Sequence, residues 1–211
     1  RLALLFDNSS SVVIAREFEK EAAIRFFRRV IRPEKDLAAL FSVSTVTRLE
    51  QGFTKDVSAL VRAIEGFAKP TGATALLNGI VRASNYLEDV SGRRVIVIVS
   101  DGDDTASDVT FDAAVKALQL ADCQVYVVKT TDFENFVRTN SRRGNANIRQ
   151  LMAERRMLDM TAQTGGSVYS PIDRKELDEA FRQISAELSQ QYILSYYPDD
   201  KPADAGRFRE I

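Results

Sequence analysis

Two apolar runs in this sequence end in aspartate, and each aspartate opens a polar loop. Leu2-Ala3-Leu4-Leu5-Phe6 leads into Asp7-Asn8-Ser9-Ser10-Ser11, and Val95-Ile96-Val97-Ile98-Val99-Ser100 leads into Asp101-Gly102-Asp103-Asp104. Taken alone, Ser9, Ser10 and Ser11 suit a turn and a helix N-cap, and Asp101-Gly102 is a plain turn signal. Taken together, the two segments place carboxylates at the ends of two buried strands, where they converge if the strands are neighbours. Adjacent carboxylates repel and are partly desolvated, an arrangement relieved by a cation or a shared proton. Hydroxyls at Ser9 and Ser11 add neutral oxygen donors. An all-oxygen set of this kind suits a hard ion, most naturally Mg²⁺, with Mn²⁺ or Ca²⁺ as alternatives. Asp103 and Asp104 read as solvated loop acids.

Composition removes most competing chemistry. The 211 residues include no histidine and a single cysteine, Cys123. Ser/His/Asp and Cys/His catalysis, His-ligated zinc, thiolate clusters and an intramolecular disulfide are therefore all excluded. Cys123 opens an apolar run without an activating neighbour and reads as a small buried hydrophobe. Lys+Arg 29 against Asp+Glu 30 gives a formal net charge of −1, too little to steer the chain to nucleic acid or an anionic membrane. Arg138, Arg142, Arg143, Arg149, Arg155 and Arg156 form a local basic run; with few aromatics between them, a solvated loop and helix face is favoured over an acidic or nucleic-acid contact. No apolar run is long enough to span a bilayer.

The elements that must position the aspartates follow from periodicity. Continuous apolar runs such as Leu2–Phe6 and Val95–Val99 mark parallel strands covered on both faces. Ile14, Phe18, Ala22, Phe26 and Val30 recur at helical spacing until Pro33, and Leu37 to Ser44 resumes as a strand, giving a βαβ unit. Val46 to Phe53 follows almost at once, so it is expected to pair antiparallel at a sheet edge. Helices are expected around Val57–Ile64, Leu77–Leu87 and Phe111–Leu118, a strand over Cys123–Val128, and then a polar stretch from Thr130 to Asn147. A helix over Leu151–Ala162 ends at Gly165-Gly166, a short strand covers Ser167–Ser170, a last helix carries Leu177, Phe181, Ile184 and Leu188, and Tyr192–Tyr197 forms a final strand. Met152, Met157 and Met160 read as core filling. The fold class is α/β: a doubly wound, mostly parallel six-stranded sheet with one antiparallel edge strand and helices on both faces. The domain is expected over 1–197. Residues 198–211 read as a connection and the start of a further strand, cut from a longer protein.

Asp7-x-Ser9-x-Ser11 after the first apolar strand, Thr74 in Gly72-Ala73-Thr74-Ala75-Leu76, and Asp101 in Val99-Ser100-Asp101-Gly102 together resemble the von Willebrand factor type A domain and its metal-ion-dependent adhesion site. The resemblance extends over nearly the whole chain and implies the Rossmann-like fold of that family. It also implies a metal set of Asp7, Ser9, Ser11, Thr74 and Asp101, in which hydroxyls ligate directly or through water. One coordination position is left for a carboxylate of a partner protein. A non-enzymatic interaction or adhesion module follows, with no nucleic-acid partner and no membrane insertion in this segment. Ser10 stands where many members have glycine, as does Ala73 before the threonine; both changes stiffen a loop without removing a ligand. Gln191-Tyr192-x-Leu194-x-Tyr196-Tyr197-Pro198 and Gly206-Arg207-Phe208-Arg209-x-Ile211 further resemble a bacterial group of such proteins, often exported to the periplasm or cell surface.

Two enzyme readings compete. A haloacid-dehalogenase-like phosphatase would use Asp7 as nucleophile and hold Mg²⁺ with the Asp101–Asp104 segment, but it needs an acid two residues after the nucleophile, where Ser9 stands. A dinucleotide-binding domain would need glycines after the first strand, and none are present.

Overall fold

The computed structural model describes residues 1–141 and 147–189. The final strand expected at Tyr192–Tyr197, the segment 198–211 and its Gln191 and Gly206 motifs, and Arg142 and Arg143 lie outside the described residues.

Among the described residues six strands form one sheet in the order β3-β2-β1-β4-β5-β6. They are β1 (Leu2–Asp7), β2 (Ala38–Val43), β3 (Arg48–Thr54), β4 (Arg94–Ser100), β5 (Cys123–Lys129) and β6 (Val168–Tyr169). Every neighbouring pair is parallel except β2 with β3, so the antiparallel edge strand stands where the short Val43-to-Arg48 connection requires it. Seven α-helices accompany them: α1 (Arg16–Val30), α2 (Val57–Glu65), α3 (Leu76–Glu88), α4 (Phe111–Leu120), α5 (Thr131–Thr139), α6 (Ile148–Thr164) and α7 (Arg174–Ser189).

Because strand side chains alternate between faces, β1 serves two cores at once. Leu2, Leu4 and Phe6 pack with Phe18, Phe26, Leu60, Ile64 and Phe181 of α1, α2 and α7. Ala3 and Leu5 pack with Leu77, Ile80, Val115 and Met157 of α3, α4 and α6. Continuous apolar runs are the direct result, since neither face of the central strands meets water.

Three expectations need correction. The polar stretch after β5 is a helix from Thr131 to Thr139, closed by Asn140 in the left-handed region at φ 53; only Phe133, Phe136 and Val137 supply its apolar side, so helical spacing is nearly hidden by polar neighbours. Met152 is 54% exposed, whereas Met157 and Met160 are buried, because α6 turns only one stripe toward the sheet. Asp103 and Asp104 are bound rather than solvated, as described below. Cys123 is buried, and burial pushes its thiol up to about 12. Gly165 ends α6 at φ 78, a conformation that favours glycine. No helix among the described residues is long and apolar enough to cross a membrane.

Candidate metal site at the carboxyl edge of the sheet

Parallel pairing sets Phe6 opposite Val99, so β1 and β4 deliver Asp7 and Ser100 side by side. Ser100 Oγ donates to Asp7 Oδ2 at 2.6 Å, and the Ser9 backbone N–H donates to Asp7 Oδ1 at 2.9 Å. The Ser9 and Ser11 hydroxyls are 2.9 Å apart, and the Ser11 hydroxyl in turn hydrogen-bonds the Asp101 carboxyl. Asp7, Ser9, Ser11 and Asp101 thus share one chain of hydrogen bonds. Ser10 begins a short 3₁₀ turn, Ser10–Val13.

Thr74 joins through its loop. Ser10 N donates to Gly72 O at 3.0 Å and Thr71 N to Asn8 O at 3.0 Å, lacing this loop to the one after β1. The loop after β4 is held as well: Thr105 N and Ala106 N donate to Thr74 O at 2.8 and 3.0 Å, and Thr74 N donates to Thr105 Oγ1 at 3.1 Å. These bonds use the Thr74 backbone. Its side chain does not cap α3, whose N-cap position is Ala75 and carries no side-chain bond. That work falls to the β4–α4 loop: Asp104 Oδ1 accepts from Leu77 N at 3.2 Å and from Ser107 Oγ at 2.6 Å, and Ser107 Oγ accepts from Asn78 N at 3.1 Å. Asp104 is therefore a capping residue, and Asp103 pairs with Arg149 at 2.7 Å. Asp104→Ala is expected to lower stability by about 1 kcal/mol through loss of the cap, measured as a reduced urea midpoint; an unchanged midpoint would discount the capping role.

The electrostatics at this edge are unbalanced toward negative charge. Asp7 is 1% exposed; its carboxyl is pushed up to about 6 by burial and then by the charge of Asp101, against the lowering bonds from Ser100 and Ser9. Burial likewise raises Asp101. Two further acids lie behind them. Glu19 of α1 is fully buried and accepts from Thr130 Oγ1 at 2.8 Å; burial, followed by the Asp7 charge, drives it well above the ordinary range. Glu134 of α5 is pushed up to about 7 by burial and then by Asp101. Arg16 faces Glu19 and Asp7, Arg138 pairs with Glu134 at 3.8 Å, and Arg149 acts on Asp101. Arg16 lies over the Phe6 ring at 4.9 Å and donates to Ala68 O at 3.0 Å.

Sequence reasoning missed Glu19 and Glu134, although one signal was present. Glu19 falls on the inward face of α1, four residues after Ala15 and three before Ala22, both of which are buried. An acid at a core position of a helical repeat is unusual enough to mark a functional neighbourhood.

Among the described residues no three Asp, Glu, Cys or His side chains converge on one point. The expected set is different, two carboxylates completed by hydroxyls, and the donor chemistry fits a hard cation: oxygens only, with like-charged carboxylates on buried Asp7 and half-buried Asp101. Residues 2–103 match the family model of the von Willebrand factor type A domain, a span holding all five of these residues. This chain carries a von Willebrand factor type A domain. Its fold is similar to that of an aerotolerance-related membrane protein from Bacteroides fragilis, at 19% identity over 89% of this chain and 98% of that one with a TM-score of 0.66. BatB from Bacteroides thetaiotaomicron matches at 19% identity, 89% and 96% coverage and a TM-score of 0.66. The von Willebrand domain of the type V pili tip protein Mfa5 from Porphyromonas gingivalis matches at 12% identity, 92% and 97% coverage and a TM-score of 0.68. Likenesses at these identities concern the fold alone. A comparison with curated proteins returns no match. Von Willebrand type A domains are commonly protein-interaction or adhesion modules.

Proposed function

We propose that this domain is a non-enzymatic interaction module that holds a divalent cation with Asp7, Ser9, Ser11, Thr74 and Asp101 and captures an acidic side chain of a partner protein through it. Mg²⁺ is the favoured ion, with Mn²⁺ or Ca²⁺ as alternatives. The observation that carries the reading is the pair of carboxylates, buried Asp7 and half-buried Asp101, linked through Ser9 and Ser11. A bound cation would supply an electrophilic point for a partner carboxylate. The chain's own part is to hold the oxygens: Ser100 and the Ser9 amide fix the Asp7 carboxyl, and the loop lacing at Gly72 and Thr105 fixes Thr74. The residue two positions after Asp7 is Ser9, where the phosphatase reading needs an acid.

Titration calorimetry with MgCl₂, MnCl₂ and CaCl₂ tests the reading on the wild type and Thr74→Ala. Thr74 contributes its structural bonds through the backbone, so the variant is expected to keep its melting temperature in chelator while cation affinity falls about tenfold or more. Absence of binding for all three ions in the wild type would remove the metal assignment. Phosphate-ester turnover that requires Mg²⁺ and is lost in Asp7→Asn would replace it with the phosphatase reading.

A further inference from the structure

Strand β4 ends at Ser100, paired with Lys129 at the end of β5, so the ladder stops just before Asp101. What holds the chain beyond that point is the start of α5. Thr130 N donates to Ser100 O at 3.0 Å, and Thr131 Oγ1 donates to Asp101 O at 3.0 Å. Two consecutive peptide groups at the candidate cation site are thus tied to the first residues of one helix. Gly102 follows in the left-handed region at φ 82, so the chain turns away at once and no further strand residue steadies Asp101.

The start of α5 is anchored in its turn. Thr130 occupies the N-cap position, yet its hydroxyl makes no capping bond, where a threonine ordinarily accepts from the second or third helical N–H. It donates instead to Glu19 Oε1 of α1 at 2.8 Å, joining residues 111 positions apart. Thr130 and Glu19 are both fully buried, and Glu19 Oε2 has no hydrogen-bond partner among the described residues. An acid in this position forgoes the stabilisation that an apolar side chain of similar size would give, and the threonine forgoes a helix cap. Both losses serve one bond, and that bond ends on the helix corner that holds Ser100 and Asp101.

We infer that Glu19 and Thr130 are positioning residues of the cation site: their buried hydrogen bond locks the start of α5 to α1, and α5 in turn fixes the Ser100 and Asp101 peptide groups so that the Asp101 carboxyl is held in place for the cation. The inference rests on the cation reading and deepens it, because neither residue belongs to the oxygen set of Asp7, Ser9, Ser11, Thr74 and Asp101. Outer partners that orient ligands in this way commonly govern metal affinity about tenfold to a hundredfold.

Titration calorimetry with MgCl₂, run on the full chain far below its melting temperature, separates affinity from stability. The double substitution Glu19→Met with Thr130→Val removes both polar ends of the bond and keeps side-chain volume and the Thr130 N–H that reaches Ser100. Replacing both partners of a buried bond by apolar groups of similar shape is often neutral or stabilising. The melting temperature in chelator is therefore expected to equal or exceed that of the wild type, while Mg²⁺ affinity falls about tenfold. A contact that only supported the fold would move the two readings together. Glu19→Gln keeps an oxygen acceptor and Thr130→Ser keeps the donor, and each is expected to stay within about threefold of wild-type affinity. If the double variant does not fold, Thr130→Val against Thr130→Ser carries the same comparison. Wild-type affinity in the variants that lack the bond overturns the inference and leaves the cation reading standing, whereas absence of Mg²⁺, Mn²⁺ and Ca²⁺ binding by the wild type removes both. Affinity lost in Glu19→Gln as fully as in the double variant would assign Glu19 a charge role in place of the bond and overturn the inference, as would a melting temperature that falls in step with affinity.

Discussion

Replacing Asp7 by alanine is expected to abolish the response of this domain to divalent cations. In the wild type, Mg²⁺ at about one hundred times its dissociation constant adds about 2.7 kcal/mol of stability by mass action. For a chain of this size that corresponds to a rise in melting temperature of roughly 5–10 °C. Asp7 sits at the meeting point of the two central strand ends and faces the charge of Asp101, so no other side chain takes over its role. The melting temperature in chelator is a poor measure, because the substitution removes the acceptors of Ser9 N and Ser100 Oγ and a buried charge at the same time. The measurement is the cation-induced shift, taken also for Asp7→Asn, which keeps the volume and one acceptor. A wild-type shift that persists in both variants would exclude Asp7 as a ligand.

The second large effect is a dependence on pH whose sign changes with the cation. Burial and the neighbouring acid raise Asp7 from 3.8 to about 6 in the folded protein. Between roughly pH 4 and pH 6 the native state holds a proton that the unfolded chain has released, so stability falls as pH rises through this window. At 1.36 kcal/mol per unit, Asp7 alone accounts for about 3 kcal/mol. Glu134, raised to about 7, and Glu19, raised further, act in the same direction. In chelator the wild type should therefore melt higher near pH 5 than near pH 7.5. Added Mg²⁺ competes with these protons, and its stabilisation should grow as pH rises. Asp7→Asn should flatten the chelator profile. Parallel profiles for wild type and variant, with and without Mg²⁺, would rule out the coupling of Asp7 to proton and cation.

How far the sequence reveals this site depends on which contacts are local. Leu2–Phe6 and Val95–Val99 read as buried parallel strands because an uninterrupted apolar run has no other soluble setting, and their terminal aspartates were visible with them. That Asp7 and Asp101 meet depends on β1 and β4 being neighbours, which periodicity does not state; the family resemblance supplied the topology. Asp104 looked like a loop acid because its partners, Leu77 N and Ser107 Oγ, belong partly to a helix reached only through the fold. Helix α5 was hidden for a different reason: its buried residues include Thr131 and Glu134, polar side chains that a hydrophobicity pattern counts as solvent-facing.

The place of β1 in the sheet constrains how the protein can be made. It is the first strand of the chain, yet it lies between β2 and β4, and β4 begins at Arg94 whereas β3 ends at Thr54. At about 5–20 residues per second on the ribosome, this interval lasts roughly 2–8 s. For that time the β4 side of β1, Leu2 to Phe6, lacks its native partner strand and presents unpaired backbone groups on an apolar strand, a template for mispairing with other nascent chains. Asp101 emerges later still, after β4. A cation needing both aspartates would therefore meet its complete oxygen set only after the fourth strand has docked. It would lock an assembled sheet and could not guide the earlier pairing.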